Sequence, residues 1–290
     1  MMEFLQYQWE PGPHGGTSDC YFSKTDDHLF LKLFHSGISD DVVEREYNTS
    51  KHIHDAEKIS VSKALRMFEA NGRKGIIYER IFGKTYADML KERSISPLDC
   101  GESFGREALK LHSTDMDISW LPSLHDEIGE SIDFVFSGRG IRHFFHRILD
   151  KICENSGKDV FLHGDLHPGN IMATGDDSLC WIDIGYASAG PTLLDLAASD
   201  AMLNFPLTAY FVENPYGLTV KEMKRLYTRF LETYFQTDNA KEIREWKKKI
   251  RLCSALYVIN IIRKENWKGA AKLGLMIIAL IEGMRYKEHI

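Results

Sequence analysis

The stretch that most constrains this chain runs from residue 160 to residue 185 and reads VFLHGDLHPGNIMATGDDSLCWIDIG. Within it His163, Asp165 and Asn170 form the order His-x-Asp-x-x-x-x-Asn, and Asp183-Ile184-Gly185 closes an apolar run thirteen residues past the asparagine. The pattern predicts a short strand at 160–162 and a loop from His163 to Asn170. A hairpin turning at 174–177 follows, with a return strand through Leu179 to Ile182. Phosphoryl transfer needs such a set, because it asks a protein to orient a hydroxyl and to hold magnesium against phosphate oxygens rather than to perform covalent chemistry. Asp165 can accept the hydroxyl proton, while Asn170 and Asp183 can hold the metal.

A chain of 290 residues can bury a full core and form one large or two modest domains, and two lobes around a cleft would fit. Its net charge of −6 argues against a nucleic-acid surface, which rests on many Lys and Arg, and is compatible with a cationic substrate. The five cysteines Cys20, Cys100, Cys153, Cys180 and Cys253 are scattered and never form CxxC, so neither a disulfide framework nor a zinc site is expected. A reducing cytoplasm is the expected setting. The first ten residues lack the basic and apolar regions of a secretory signal. The apolar run Leu273 to Ile281 is too short to span a membrane and reads as a core helix.

Residues 11–34 read as three strands, with Gly12, Gly15 and Gly16 in the first loop, where backbone amides could approach phosphates. Their spacing is not GxGxxG, and a plain hairpin turn explains them as well. Lys32 lies inside the apolar strand His28 to Phe34, and a buried ammonium needs a partner. The helix expected at 40–54, capped by Ser39 or Asp40 with a stripe of Val42, Val43, Tyr47, Ser50 and Ile53, offers Glu44 and Glu46. Glu46 is favoured because it lies beside Tyr47 near the apolar stripe. Strands at 62–68 and 75–80 flank Asn71-Gly72, and Glu79 to Gly83 reads as a hinge. Backbone groups there, at Glu79 and Ile81, could meet a purine edge.

From Ser96 the chain turns helical. Ser96-Pro97-Leu98-Asp99 supplies a cap and an acidic first turn ahead of the stripe Phe104, Ala108, Leu111. Short helices are expected at 128–136 and 144–153, and the last hundred residues look wholly helical. Thr219 to Glu222 is a capping box for the stripe from Met223 to Tyr234. Two further helices are read at 253–262 and 270–284. The basic run Arg244 to Arg251 reads as a solvated helix face.

The segment HGDLHPGN followed by WIDIGYASAGPTLLDLA resembles the catalytic core of the aminoglycoside phosphotransferase and choline kinase group. The likeness is specific over about residues 160 to 200, looser over Lys32, Glu46 and the hinge, and fades in the final helices. It implies an α+β, bilobal protein-kinase-like fold. An N-terminal nucleotide-binding lobe at 1–83, a small antiparallel sheet plus one helix with the hinge at 79–83, would precede a larger mainly helical lobe at 84–290. It also implies Asp165 as catalytic base and Asn170 and Asp183 as Mg2+ ligands. Lys32, held by Glu46, would meet the phosphates of ATP, with GTP left open. Asp195 would tie the catalytic loop's backbone to a helix. His163 is expected to brace that loop, and His167 could touch substrate or phosphate, although a lone histidine is more often structural.

No activation segment or APE-like motif follows Asp183, so a small molecule bearing a hydroxyl is the favoured acceptor: an aminoglycoside, an amino alcohol or a sugar-like metabolite. Aromatics of the last helices such as Tyr257 and Trp267 could stack on it, although most of them read as core. The alternatives are a protein kinase with a reduced activation segment and a nucleotide-binding module without catalysis. Zinc at His163, His167 and Asp165 is disfavoured by Pro168 and Gly169, and a Ser-His-Asp hydrolase by the lack of GxSxG. Neither a nucleic acid nor a membrane is an expected partner, and oligomeric state is not readable.

Overall fold

A computed structural model describes residues 8–175, 178–204, 214–264, 268–286 and 288. In chain order they form β1 (Trp9–His14), β2 (Ser18–Ser23), β3 (Leu29–Phe34), α1 (Asp40–Asp55), β4 (Ala64–Ala70), β5 (Arg73–Glu79) and β6 (Gly83–Thr85). Four helices follow: α2 (Tyr86–Lys91), α3 (Pro97–Ser113), α4 (Leu124–Val135) and α5 (Arg139–Asn155). Then come β7 (Val160–Leu162), β8 (Ile171–Thr174), β9 (Leu179–Trp181), β10 (Ser188–Gly190) and the helices α6 (Thr192–Leu203), α7 (Val220–Tyr234), α8 (Ala240–Lys264) and α9 (Gly269–Tyr286). Contacts divide the chain into two compact units, one of Met1–Thr85 with Gly169–Tyr186 and one of Tyr86–Pro168 with Ala187–Ile290.

In the first unit a five-stranded antiparallel sheet runs in the order β1-β2-β3-β5-β4. Strand alternation splits LFLKLF between two apolar faces. Leu31 and Leu33 pack with Phe68, Ala70 and Ile77. Phe30 and Phe34 face the other way, with Val43 of α1, Ala64, Ile76 and Tyr78. With both faces covered the strand reads as nearly continuous apolar sequence, and its lysine stands out. Asn71 and Gly72, at φ of 53° and 72°, turn β4 into β5 with both central residues left-handed, as a two-residue hairpin requires. On α1 the buried residues are Val43, Glu46, Thr49, Ser50 and Ile53. Val42, expected in that stripe, lies outside it at 40% exposure, because it is one residue, about 100° of helix, from Val43. A second sheet, β6-β8-β9, completes the unit.

The second unit is helical apart from the β7–β10 pair. Its core gathers residues of α4, α5, α6, α8 and α9 around Leu162 of β7. Helices α3 and α7 approach closely because Gly101 and Gly105 line the contact. A Cβ at these positions would lie 2.5 Å from the Leu226 carbonyl oxygen and 2.6 Å from that of Phe230. Phe104, between them, stacks on Phe230 with ring centroids 4.8 Å apart. Helix propensity alone would make Gly105→Ala stabilising by about 1 kcal/mol. A backbone carbonyl cannot rotate away as a side chain can, so overpacking at about 1–3 kcal/mol should win and the melting temperature should fall; a rise would refute this packing account.

One reading of this half changes and another narrows. Arg251 closes the basic run but is not on a solvated face: it is 9% exposed, with Nε 2.9 Å from Asp200 Oδ2. The Ser254 hydroxyl donates to the same oxygen at 2.7 Å, so the buried ion pair is further hydrogen-bonded. The run 273–281 is a core helix as expected, but on one side only. Leu275 and Ala279 are buried, while Ile277 and Ile281 are about half exposed on the other side of α9. Among the described residues no helix is long and apolar enough to cross a membrane.

Candidate active site

In the first unit Lys32 occupies the middle of β3, between Cys20 of β2 and Ile76 of β5. Its ammonium donates to Glu46 Oε1 and Oε2 at 2.8 and 2.9 Å and to Asp183 Oδ1 at 2.6 Å. Glu44, the other candidate, is exposed and meets Lys74 instead. Burial opposes the charge of Lys32, but Asp183 and Glu46 outweigh it and hold the ammonium well above the usual lysine range. The same burial pushes the Cys20 thiol up to about 11, against the pull of Lys32, so it stays protonated.

Two features around this ion pair had no local signal in the sequence. The Tyr78 hydroxyl, from β5, donates to Glu46 Oε1 at 2.7 Å. Gly185 allows the carboxylate to approach, since a Cβ there would lie 2.8 Å from Glu46 Oε2. Asp183 itself has a left-handed backbone, φ 57°, a conformation Asp tolerates better than most residues. It is half exposed, whereas Lys32 is buried. The Ile182 amide donates to the Asn170 carbonyl at 3.0 Å and ties the neighbour of Asp183 to Asn170. A carboxylate and a side-chain amide are the hard oxygen donors that suit magnesium, so Asn170 and Asp183 could hold one.

Gly15 and Gly16 lie in the β1–β2 turn, where the Gly15 amide donates to Ser18 O at 2.9 Å. A Cβ at Gly16 would meet nothing within 4 Å, so packing does not demand glycine there. At the end of β5 the Glu79 and Arg80 amides donate to Lys63 O and His28 O. A purine edge would be left with amides further along, beginning at Ile81.

In the second unit Asp195 of α6 organises the loop after β7. Its Oδ2 accepts from the His163 amide and its Oδ1 from the Gly164 amide, both at 2.8 Å. His112 of α3 contacts Oδ2 through Nε2 at 2.9 Å and Tyr234 through Nδ1 at 2.7 Å, a bracing residue not singled out by the sequence. Gly164, at φ 81°, lets the chain turn directly after the strand. His163 is fully buried and accepts the Asp165 amide at 3.3 Å. Its neighbour His167 places Nε2 3.3 Å from Asp165 Oδ2. Tyr257, expected to be a core residue or a stacking surface, donates its hydroxyl to Asp165 Oδ1 at 2.8 Å. Trp267 lies outside the described residues. Burial alone would raise the Asp165 carboxyl, yet His167, Tyr257 and His163 together hold it well below the usual carboxylate range.

A family model described as the phosphotransferase enzyme family matches residues 8–213. The chain belongs to this family. As a member of the phosphotransferase enzyme family it is a transferase of the small-molecule kinase class. No curated protein matches the sequence. Among solved structures, an ethanolamine kinase from Plasmodium vivax is 14% identical, with a TM-score of 0.63, over 100% of this chain and 85% of its own. The aminoglycoside phosphotransferase APH(2'')-Ib, in an ADP-bound structure, is 16% identical with a TM-score of 0.61, over 99% and 97%. The macrolide 2'-phosphotransferase MphH from Brachybacterium faecium is 14% identical with a TM-score of 0.57, over 94% and 91%. At such identities the likeness is one of fold, and the fold is the α+β, protein-kinase-like one expected from the sequence.

Proposed function

We propose that this phosphotransferase moves the γ-phosphoryl group of ATP, with Mg2+, to a hydroxyl of a small molecule of the aminoglycoside, amino alcohol or sugar-like class. The observation that carries the reading is the placement of the Asp165 carboxylate, its backbone amide held by His163 and its two oxygens met by the Tyr257 hydroxyl at 2.8 Å and by His167 at 3.3 Å, which fixes an acceptor for a hydroxyl proton. The acceptor oxygen would form the new bond to the γ-phosphorus as the bond to the β–γ bridging oxygen breaks. Its proton would pass to Asp165, and ADP would leave. Lys32, oriented by Glu46 and Tyr78, would pair with phosphate oxygens, and the Gly15–Gly16 turn and the hinge at 79–83 would bind the rest of the nucleotide. Asn170 and Asp183 would hold the magnesium, which when bound neutralises charge on the phosphate oxygens.

In functional terms residues 1–83 would serve the nucleotide and residues 84–290 catalysis and the acceptor. Support for the nucleotide comes from the ADP-bound relative, and for the acceptor class from a structure of APH(3'')-Id from Streptomyces rimosus with ADP and streptomycin. The five free cysteines agree with a cytoplasmic setting.

Mass spectrometry of a pooled antibiotic and metabolite library incubated with Mg-ATP, and in parallel with Mg-GTP, tests the reading. One phosphoryl group gained by a small molecule is the expected result, and phosphate appearing only on protein would move the reading to a protein kinase. At a hundredfold excess over the dissociation constant, Mg-ATP should stabilise the protein by about 2.7 kcal/mol. Asp183→Ala should abolish most of that gain, and an undiminished gain would remove Asp183 as a metal ligand.

A further inference from the structure

We propose that Tyr257 is a positioning residue for Asp165, its phenol fixing the direction in which the carboxylate faces the acceptor hydroxyl. This rests on Asp165 being the base. The loop's backbone is already braced: Asp195 holds the His163 and Gly164 amides, His163 holds the Asp165 amide, and the Ser199 hydroxyl donates to the Leu166 carbonyl at 2.6 Å. What the backbone cannot set is the torsion of the Asp165 side chain. Tyr257 on Oδ1 and His167 on Oδ2 act on that remaining freedom, one on each oxygen. An ionised carboxylate has about four lone-pair sites, so an incoming hydroxyl still finds one on either oxygen.

Its place in the helix supports this role. From Arg251 to Ile262, α8 is buried almost throughout, and Tyr257 is one of two residues in that run only partly buried. A phenol also suits the task chemically. It donates without carrying a charge, so it orients the carboxylate while lowering its basicity less than a paired ammonium would. Among the groups around Asp165 are His163 and His167 from its own loop, Tyr257 from α8, and the buried Tyr216, whose phenol is held protonated by burial and by the charge of Asp165.

Tyr257→Phe, which keeps the ring and therefore the packing of α8, is compared with wild type and Asp165→Asn. The readouts are phosphate release from Mg-ATP with water as acceptor and transfer to the compound returned by the library. Tyr257→Phe should lower kcat about tenfold, the equivalent of ~1.4 kcal/mol, with KM for ATP unchanged. Loss of a donor to the charged form should also move the acid limb of the pH–rate profile to higher pH. A wild-type kcat with an unmoved acid limb would overturn the proposal, and so would a lowered melting temperature with unchanged kcat, since that is a purely structural role. Activity retained in Asp165→Asn, or no phosphate release or transfer by wild type, would instead overturn the reading of Asp165 as base.

Discussion

Replacing Asp165 by Asn is expected to slow phosphoryl transfer by about 10²–10⁴-fold, the usual worth of a positioned general base. Nucleotide binding should survive, because Lys32, Glu46 and Asp183 are untouched. Asn is nearly isosteric and its carbonyl can still accept the Tyr257 hydroxyl, so the measurement isolates the proton-accepting role rather than a collapsed loop. The sign of the pH dependence follows from the same contacts. Asp165 titrates below the ordinary aspartate value of about 3.9, so it is ionised throughout the physiological range, and its basicity is lost only as pH falls through its lowered value. A loss of activity near neutral pH would therefore belong to another group. Wild-type turnover in Asp165→Asn, with the ATP-induced thermal shift intact, would exclude Asp165 as the base.

Asp195→Ala should be the most damaging substitution for stability, at about 3–5 kcal/mol. Asp195 is 1% exposed and accepts from two backbone amides while contacting a buried histidine. Truncation leaves both amides and His112 without their acceptor, and a buried donor stripped of its partner keeps the full desolvation cost. Thermal unfolding should shift downwards on the order of 10 °C. Any protein that still folds should also lose turnover, because the loop carrying Asp165 is hung from this carboxylate. A change of only a degree or two would show that the loop is held by its other contacts alone.

The parts of the fold that could be read beforehand are those whose signal is local. β7 was legible as an apolar triplet ending at His163, the β4–β5 hairpin from Asn71-Gly72, and α3 and α7 from their caps. The Thr219–Glu222 capping box is present on both sides. Elements without a period of their own were not legible. β6 and β10 have three residues each and exist because they pair with β8 and β7. The first half of α8 was read as a helix over Arg244 to Arg251, but it is so rich in charge that no apolar stripe joined it to the helix read at 253–262 as the one helix Ala240–Lys264.

At the candidate site the same division holds. The order His163, Asp165, Asn170, Asp183 and the lysine inside an apolar strand are properties of the sequence alone, as are the types of chemistry those residues can do. Which glutamate meets Lys32 was decided by the helix: Glu46 falls with Val43, Ser50 and Ile53 on the buried side of α1, and Glu44, two residues earlier, is turned to Lys74. Contacts between distant residues were decided only by tertiary structure: Lys32 with Asp183 across 151 positions, and Tyr257 with Asp165 across 92. Periodicity and spacing describe a segment's own conformation and carry no term for chain closure over such distances. A tyrosine in an apolar helix therefore reads as core until the fold brings a carboxylate to its hydroxyl.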